Sequence, residues 1–101
     1  MKRKLTPSTG SVFEDLGFSK EEAANLRVRS VLMANIRGLI RDEGMTQMRA
    51  AELFGVTQPR ISDLVRGKIE LFSIDALVNM LAAAGCPVQV SVGTQSDSEA
   101  A

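Results

Sequence analysis

Residues 46–67 read TQMRAAELFGVTQPRISDLVRG, and this run constrains the fold more than any other part of the chain. It predicts two short helices, near residues 47–54 and 58–66, joined by a tight turn. Gly55 stands where the first helix must stop, because glycine adopts a positive φ without strain. Ala51 is small where the second helix has to cross closely. We expect the crossing angle to be fixed by three apolar side chains: Val56, Ile61 and Leu64.

The start of the second predicted helix is polar. Thr57 is a good N-cap, Gln58 opens the helix, and Pro59 lies in the first turn, where a missing N–H costs little. Arg60 and Ser62 follow within the next turn. Side chains at such positions contact base edges when a helix enters the major groove of DNA. An ordinary pair of packed helices is the alternative, but it gives no reason for this polar cluster, so the pattern favours DNA binding.

The length and composition of the chain exclude several classes of protein. At 101 residues it forms one small domain with a modest core, so dimerisation is an expected source of stability. No apolar run is long enough to span a membrane and no signal-peptide pattern occurs, which predicts a soluble, cytoplasmic protein. Cys86 is the only cysteine and there is no histidine. We therefore expect no intramolecular disulfide, metal site, cofactor, small-molecule ligand or enzyme activity.

Charge is distributed unevenly along the chain, although 12 basic and 12 acidic residues balance overall. Residues 1–68 contain all the basic residues and eight acidic ones, a net charge of +4. Residues 69–101 contain four acidic residues and no basic one. The half that contains residues 46–67 is therefore the basic half, which favours a nucleic-acid partner. The asymmetry is small, and chance is the alternative explanation.

The rest of the chain divides into an arm, a domain and a tail. Residues 1–18 are expected to form a partly disordered arm, and residues 93–101 a disordered tail. The arm nevertheless carries side chains too apolar for a free tail: Val12, Phe13, Leu16 and Phe18. These side chains either fold onto the domain or dock on a partner, and the sequence leaves both possibilities open. Residues 19–92 are expected to form the helix-turn-helix domain with its C-terminal strand.

Two further helices flank the central pair. Ser19 and Glu22 form a capping box that opens a long helix ending near Glu43, with Gly44 as its stop. Its apolar stripe has a 3.6-residue period and comprises Leu26, Met33, Ile36, Leu39 and Ile40. Its arginines off this stripe are expected mostly on a solvated face: Arg27, Arg37 and Arg41. Ser73 is expected to cap a last helix over residues 74–84, which ends at Gly85 and Pro87.

Residues 88–92 alternate between apolar and polar side chains and predict a short strand. Val88, Val90 and Val92 form its apolar face. A single strand in a helical chain needs a partner for its backbone groups, either the N-terminal segment or the same strand of a second copy. We favour the second copy, which makes these valines candidate dimerisation residues.

Residues 25–85 resemble the lambda-type repressor helix-turn-helix family, also called the Xre or Cro/C1 type. The resemblance rests on Gln47, Ala51, Gly55 and Gln58. Within that family the layout is most similar to the short HigA-type antitoxins. The shared features are the long capped helix, the strand after the last helix, and two runs, QPRIS at 58–62 and GKIELFSIDAL at 67–77. The resemblance implies a mainly α, lambda-repressor-like bundle of four to five helices with a short C-terminal strand.

The resemblance also implies roles for individual residues. Gln58 is expected to read a base edge, because its amide can bond adenine in a bidentate manner. Arg60 is expected to contact guanine or phosphate, Ser62 to make a weaker contact and Pro59 to touch a thymine methyl. Gln47 is expected to brace Gln58 or reach a phosphate. The remaining candidates for contact with the DNA backbone are the two caps and three basic residues: Thr46, Thr57, Arg49, Arg66 and Lys68. Asp63 is expected to pair with Arg60 or Arg66.

Three functions are compatible with these residues. The first is an antitoxin that neutralises a ribonuclease toxin and, as a homodimer on a palindromic operator, represses its own operon. The second is a transcriptional regulator of the same family without a toxin partner, and the third is a protein-interaction module built on the helix pair. Under the first, Phe13, Leu16 and Phe18 are candidate toxin contacts. Packing of these side chains on the chain's own helices is equally compatible with the sequence.

Overall fold

The structure is a computed structural model that describes residues 10–93. Its elements are α1 (Gly10–Asp15), α2 (Lys20–Asp42), α3 (Gln47–Phe54), α4 (Gln58–Val65), a 3-10 turn (Ile69–Leu71) and α5 (Ile74–Ala83). We call residues 69–72, which join α4 to α5, the linker turn. The mainly helical fold is confirmed, and the long helix, the central pair and the last helix lie where the sequence predicts them. The disorder expected for residues 1–9 and 94–101 lies outside the described residues.

Local capping signals set the limits of α2. The Ser19 hydroxyl accepts a hydrogen bond from the Glu22 amide at 3.1 Å, and the Glu22 carboxylate accepts one from the Ser19 amide at 2.9 Å. The Ser19 amide, and after it the Ser19 hydroxyl, stabilise the ionised carboxylate and hold the pKa of Glu22 below its usual value. At the other end Gly44 has a φ of 61°, and the Met45 amide donates to the Ile40 carbonyl at 3.0 Å. The reversed chain direction after Gly44 brings α3 back onto the same core.

One hydrophobic core joins α2 to the other helices and the linker turn. Helix α2 packs against α5, the linker turn and α4, while α3 packs against both α4 and α5. The largest fully buried side chains come from all these elements: Ile36, Phe54, Ile61, Leu64, Phe72 and Leu77. Of the stripe predicted on α2, Met33, Ile36 and Ile40 are buried, whereas Leu26 and Leu39 are half-buried. Helices α3 and α4 therefore pack on the same hydrophobic core.

Part of the expected N-terminal arm is helical. Helix α1 packs against α2, and its Phe13 ring meets that of Phe18 edge to face, with 6.3 Å between ring centroids. Phe13 is half-buried. The other apolar side chains of this segment remain exposed, and we call them the α1 patch: Val12, Leu16 and Phe18. Packing on the chain's own helices therefore accounts for Phe13 and leaves the α1 patch open to solvent.

The short C-terminal strand does not form in the single chain. Within the described residues, 86–93 have no regular secondary structure, and no backbone group of residues 87–93 bonds to another backbone group. Val88 packs partly against the core, while Val90 and Val92 are 80% and 92% exposed. The physical reason is that a strand is stabilised by the backbone of a neighbouring strand, and the described residues of one chain offer none.

We predict that Gly55→Ala destabilises the domain by about 1–2 kcal/mol, because an L-residue in the left-handed region places its Cβ against the following carbonyl. Gly55 has φ 71° and ψ 33°, and an added Cβ would lie 3.7 Å from the Cβ of Ala83, so crowding contributes little. Urea unfolding measures the change as a lower midpoint with an unchanged slope. Gly55→Asn is the control, since asparagine tolerates this conformation and should cost less. Equal stability of the alanine and wild-type chains would contradict the prediction.

Candidate nucleic-acid interface

The seam between α3 and α4 determines how the second helix is presented. Ala50 and Ala51 are buried on α3, and Ile61 and Leu64 are fully buried on α4. The left-handed Gly55 ends α3, and the Val56 amide donates to the Ala51 carbonyl at 3.0 Å. Small side chains on one helix and branched ones on the other allow a close crossing, as the sequence predicts. The opposite side of α4 faces solvent.

The start of α3 carries an exposed polar group beside a conventional cap. Thr46 is the N-cap, and its hydroxyl accepts a hydrogen bond from the Arg49 amide at 3.0 Å. Gln47 and Met48 follow and are exposed, Met48 by 61%. Arg49 is also exposed and lies 3.7 Å from a carboxylate oxygen of Glu52. Gln47 and Arg49 are therefore accessible to a ligand that approaches the start of α3.

The first turn of α4 presents Gln58 and Pro59 to solvent. Thr57 has the extended backbone of an N-cap, with φ −82° and ψ 162°, but its hydroxyl makes no capping hydrogen bond. The predicted cap is therefore present in backbone geometry only. Ser62, one turn further on, is half-buried. The side-chain amide of Gln58 is therefore accessible to a partner that offers one hydrogen-bond donor and one acceptor side by side.

Arg60 turns back from the exposed side of α4 toward the linker turn. Its Nη1 donates to the Leu71 carbonyl at 2.9 Å, and its guanidinium carbon lies 4.1 Å from the centroid of the buried Phe72 ring. A cation over an aromatic face contributes about 0.5–1 kcal/mol where it is accessible to water. In this structure the Arg60 guanidinium contacts the linker turn and the Phe72 ring. The base-reading or phosphate-binding role expected for Arg60 stays a prediction.

The end of α4 is basic and only weakly neutralised. Arg66 is the C-cap residue and is exposed. The Lys68 ammonium lies 3.7 Å from the Asp63 carboxylate, so Asp63 pairs with Lys68 and not with the expected Arg60 or Arg66. Arg37 of α2 also approaches this end, because a Cβ added at Gly67 would lie 3.6 Å from the Arg37 guanidinium. An ion pair of this exposure contributes about 0–1 kcal/mol and can exchange with a phosphate.

Arg29 is a residue that the sequence analysis missed. Its Nη1 donates to the Ile69 carbonyl at 3.2 Å and to the Phe72 carbonyl at 3.5 Å. Its Nε donates to the side chain of Asn25, which lies one turn earlier on α2, at 2.7 Å. This bond fixes the orientation of the Arg29 guanidinium. No local motif marks Arg29, because its partners lie 40 and 43 residues away in the chain. Its spacing was the available signal, because Arg29 lies three residues after Leu26 and four before Met33, on the apolar stripe of α2.

Within residues 10–93, no group of three or more acidic, cysteine or histidine side chains is arranged to bind a metal ion. None of the described helices is both long and apolar enough to cross a bilayer. Two open grooves occur. One of about 580 Å³ lies between the start of α3 and Cys86, and one of about 430 Å³ lies between Asn25, Arg60 and the linker turn.

A comparison with protein families agrees with this geometry. A family model described as a helix-turn-helix domain matches residues 12–93, which include most of α1 as well as the segment after α5. No curated protein matches the chain. The match covers most of the chain and includes both helices of the seam. The chain belongs to this family of helix-turn-helix domains.

Proposed function

We propose that the chain is a sequence-specific DNA-binding repressor that acts as a homodimer on a palindromic operator. The observation that carries the proposal is the first turn of α4, where Gln58 and Pro59 are exposed while Ile61 and Leu64 of the same helix are fully buried. A helix that is buried on one face and exposes polar side chains in its first turn suits insertion into the major groove. Gln58 then meets adenine through two hydrogen bonds, and Pro59 offers an apolar surface to a thymine methyl.

The surrounding polar and basic residues supply contacts with the DNA backbone. Gln47 stands at the start of α3, and Arg49 is exposed nearby. Arg66 and Lys68 stand beyond the other end of α4. Contacts of this kind position the protein without reading sequence, and their number sets the salt dependence of binding. The net charge of zero means that this local placement of cations, and not an overall positive field, attracts DNA.

The C-terminal segment supports the proposed homodimer. Val90 and Val92 are almost fully exposed, and the backbone around them has no partner within the described residues. Pairing of residues 88–92 with the same segment of a second copy satisfies these backbone groups and covers the valines. The two α4 helices of such a dimer read two half-sites related by a two-fold axis.

We further propose that the protein is the antitoxin of a toxin–antitoxin module and neutralises a ribonuclease. The HigA-type resemblance favours this role, and the exposed α1 patch supplies a surface for it. Glu14 and Asp15 lie within the same short helix and suit a basic partner. Among the described elements, α1 packs mainly on α2 and not on α3 or α4, which suits a toxin surface distinct from the proposed DNA surface.

A regulator of the same family without a toxin partner is the second candidate, since the DNA-binding surface is common to both. A gene for a small basic protein beside this one favours the antitoxin, and its absence favours the regulator. Salt-dependent binding to palindromic DNA separates both from an interaction module built on the helix pair.

We predict that Gln58→Ala weakens binding to the operator by about 1–3 kcal/mol and leaves binding to random DNA almost unchanged, because it removes a contact with a base. Arg66→Ala is the matched change on the same helix. It should weaken both DNAs similarly and reduce the salt slope by about one per subunit, because it removes a contact with phosphate. Fluorescence anisotropy across a salt series measures both. Equal losses on the two DNAs for Gln58→Ala would refute the proposed docking of α4.

We predict that Val90→Pro shifts the protein from dimer to monomer, because proline removes an amide donor from the proposed ladder. Sedimentation velocity at tens of micromolar, roughly where weak dimers form, measures the shift. Val90→Thr keeps both the amide and a β-branched side chain, and it should remain dimeric. A wild-type chain that sediments as a monomer at these concentrations rules the dimer out.

We predict that Leu16→Ser reduces neutralisation of the toxin and leaves DNA binding intact, because Leu16 is 70% exposed in the α1 patch. The product of the neighbouring gene is the probe, and growth rescue together with copurification is the measurement. Met48→Ser is the control, since Met48 is 61% exposed on α3, at the DNA surface. Full neutralisation by a folded chain that lacks residues 1–18 would exclude the α1 patch as a toxin contact.

A further inference from the structure

We propose that Arg29 and Arg60 form a brace that positions α4 for sequence readout, and that Arg60 acts through this brace and not through contact with DNA. The inference deepens the proposed function and rests on it where DNA selectivity is concerned. Its structural content is independent of DNA. The brace consists of the two guanidinium groups, the carbonyl groups of the linker turn and the Phe72 ring.

Both arginines donate to the same short stretch of backbone from different helices. Arg60 reaches the Leu71 carbonyl at 2.9 Å from α4, and Arg29 reaches the Ile69 carbonyl at 3.2 Å from α2. Among the described residues, the Leu71 and Phe72 carbonyls accept no backbone hydrogen bond, so the arginines supply donors that the backbone does not. The Ile69 carbonyl accepts from both Arg29 and the Phe72 amide, the latter at 3.2 Å. The linker turn is thereby fixed to both helices.

The Phe72 ring gives the brace a rigid base. Phe72 is 1% exposed and belongs to the hydrophobic core, and the Arg60 guanidinium lies 4.1 Å from its centroid. A planar guanidinium can stack on an aromatic ring while its edge donates hydrogen bonds, which the compact ammonium of lysine does less well. The position of Arg60 is therefore determined by the core and not by solvent.

The first turn of α4 needs such an anchor. Thr57 makes no capping hydrogen bond with its side chain, and Pro59 has no amide hydrogen. The other helices that begin with a polar N-cap have a side-chain bond there: Ser19 for α2, Thr46 for α3 and Ser73 for α5. Helix α4 instead has Arg60, two residues after Gln58, tied to a linker turn 11 residues from Arg60. The orientation of the Gln58 backbone then depends on the brace.

Arg29 extends the brace to α2. Asn25 holds the Arg29 guanidinium through a bond of 2.7 Å, and Arg29 in turn holds the Ile69 and Phe72 carbonyls. Arg29 lies on the long helix that packs against the linker turn, outside the exposed corner of α3 and α4. An effect of Arg29 on base selectivity therefore acts through the linker turn and Arg60 or through the packing of α2 on α4, and in either case without contact between Arg29 and DNA.

The test compares Arg60→Met and Arg29→Met with Arg66→Met in the full-length chain. Methionine keeps an apolar stem and removes the hydrogen bonds and charge. The first readout is amide hydrogen exchange at Ile61 and Ser62, with Ala51 of α3 as the internal reference. We expect both brace variants to exchange several-fold faster at Ile61 and Ser62 and unchanged at Ala51, because local protection follows local stability. Arg66→Met should leave all three amides unchanged.

The second readout is affinity for a duplex that the wild-type chain selects from a random pool, measured against a random duplex over a salt series. We expect each brace variant to lose about tenfold of the selectivity and to keep the wild-type salt slope. Arg60→Lys should recover part of the selectivity, and it serves as the folded substitute if a methionine variant unfolds. Arg29→Lys serves in the same way.

Two results overturn the brace. Unchanged exchange at Ile61 and Ser62 in a folded Arg60 variant shows that Arg60 does not hold the first turn of α4. Equal weakening on both duplexes with a salt slope reduced by about one per subunit shows that Arg60 contacts phosphate directly. If the wild-type chain selects no duplex, the proposed function fails, and hydrogen exchange alone still decides whether the brace exists.

Discussion

The close crossing of α3 and α4 is the constraint on which the rest of the structure depends. Ala50 and Ala51 bring the two helices together, and the left-handed Gly55 reverses the chain within a few residues. Ile61 and Leu64 then insert fully into the core that α2 and α5 complete. A larger residue in place of either alanine would separate the helices and move the first turn of α4 relative to the domain. The placement of Gln58 is therefore a consequence of packing beneath it.

Sequence signals that act over three or four residues predicted the helices well. The Ser19 box, Thr46 and Ser73 all make the hydrogen bonds expected of caps, and the predicted stops at Gly44, Gly55 and Gly85 all have positive φ. What the sequence did not predict depends on distant partners. Arg29 and Arg60 are defined by carbonyl groups 40 and 11 residues away. The strand predicted for residues 88–92 is absent, because the described residues provide no neighbouring strand for its backbone. The exposed Gln58 was predictable because it depends only on its position in α4.

The basic side chains at the start of α3 and beyond the end of α4 form only weak ion pairs, and this suits a surface that binds a polyanion. Lys68 and Asp63 are 3.7 Å apart, as are Arg49 and Glu52, and both pairs are accessible to water. Such pairs contribute little to folding, so their replacement by phosphate costs little. Arg60, by contrast, has a hydrogen bond and a ring contact to lose. Arg49 and Lys68 can thus exchange their weak ion pairs for a phosphate at little cost, whereas Arg60 would have to give up its contacts with the linker turn and Phe72.

Two of the exposed apolar surfaces lie at the two ends of the described chain. The α1 patch rests on α2, and residues 86–93 follow directly from α5. Helix α2 contacts α1, α4, α5 and the linker turn, and it carries Arg29. Any influence of a partner bound at the α1 patch on the DNA surface therefore has to pass through α2. Two routes lead from α2 to α4: direct packing of the two helices, and the Arg29–linker turn–Arg60 contacts. On the proposed function, a partner that shifts α2 would move the first turn of α4 through both routes, and base selectivity would change with it.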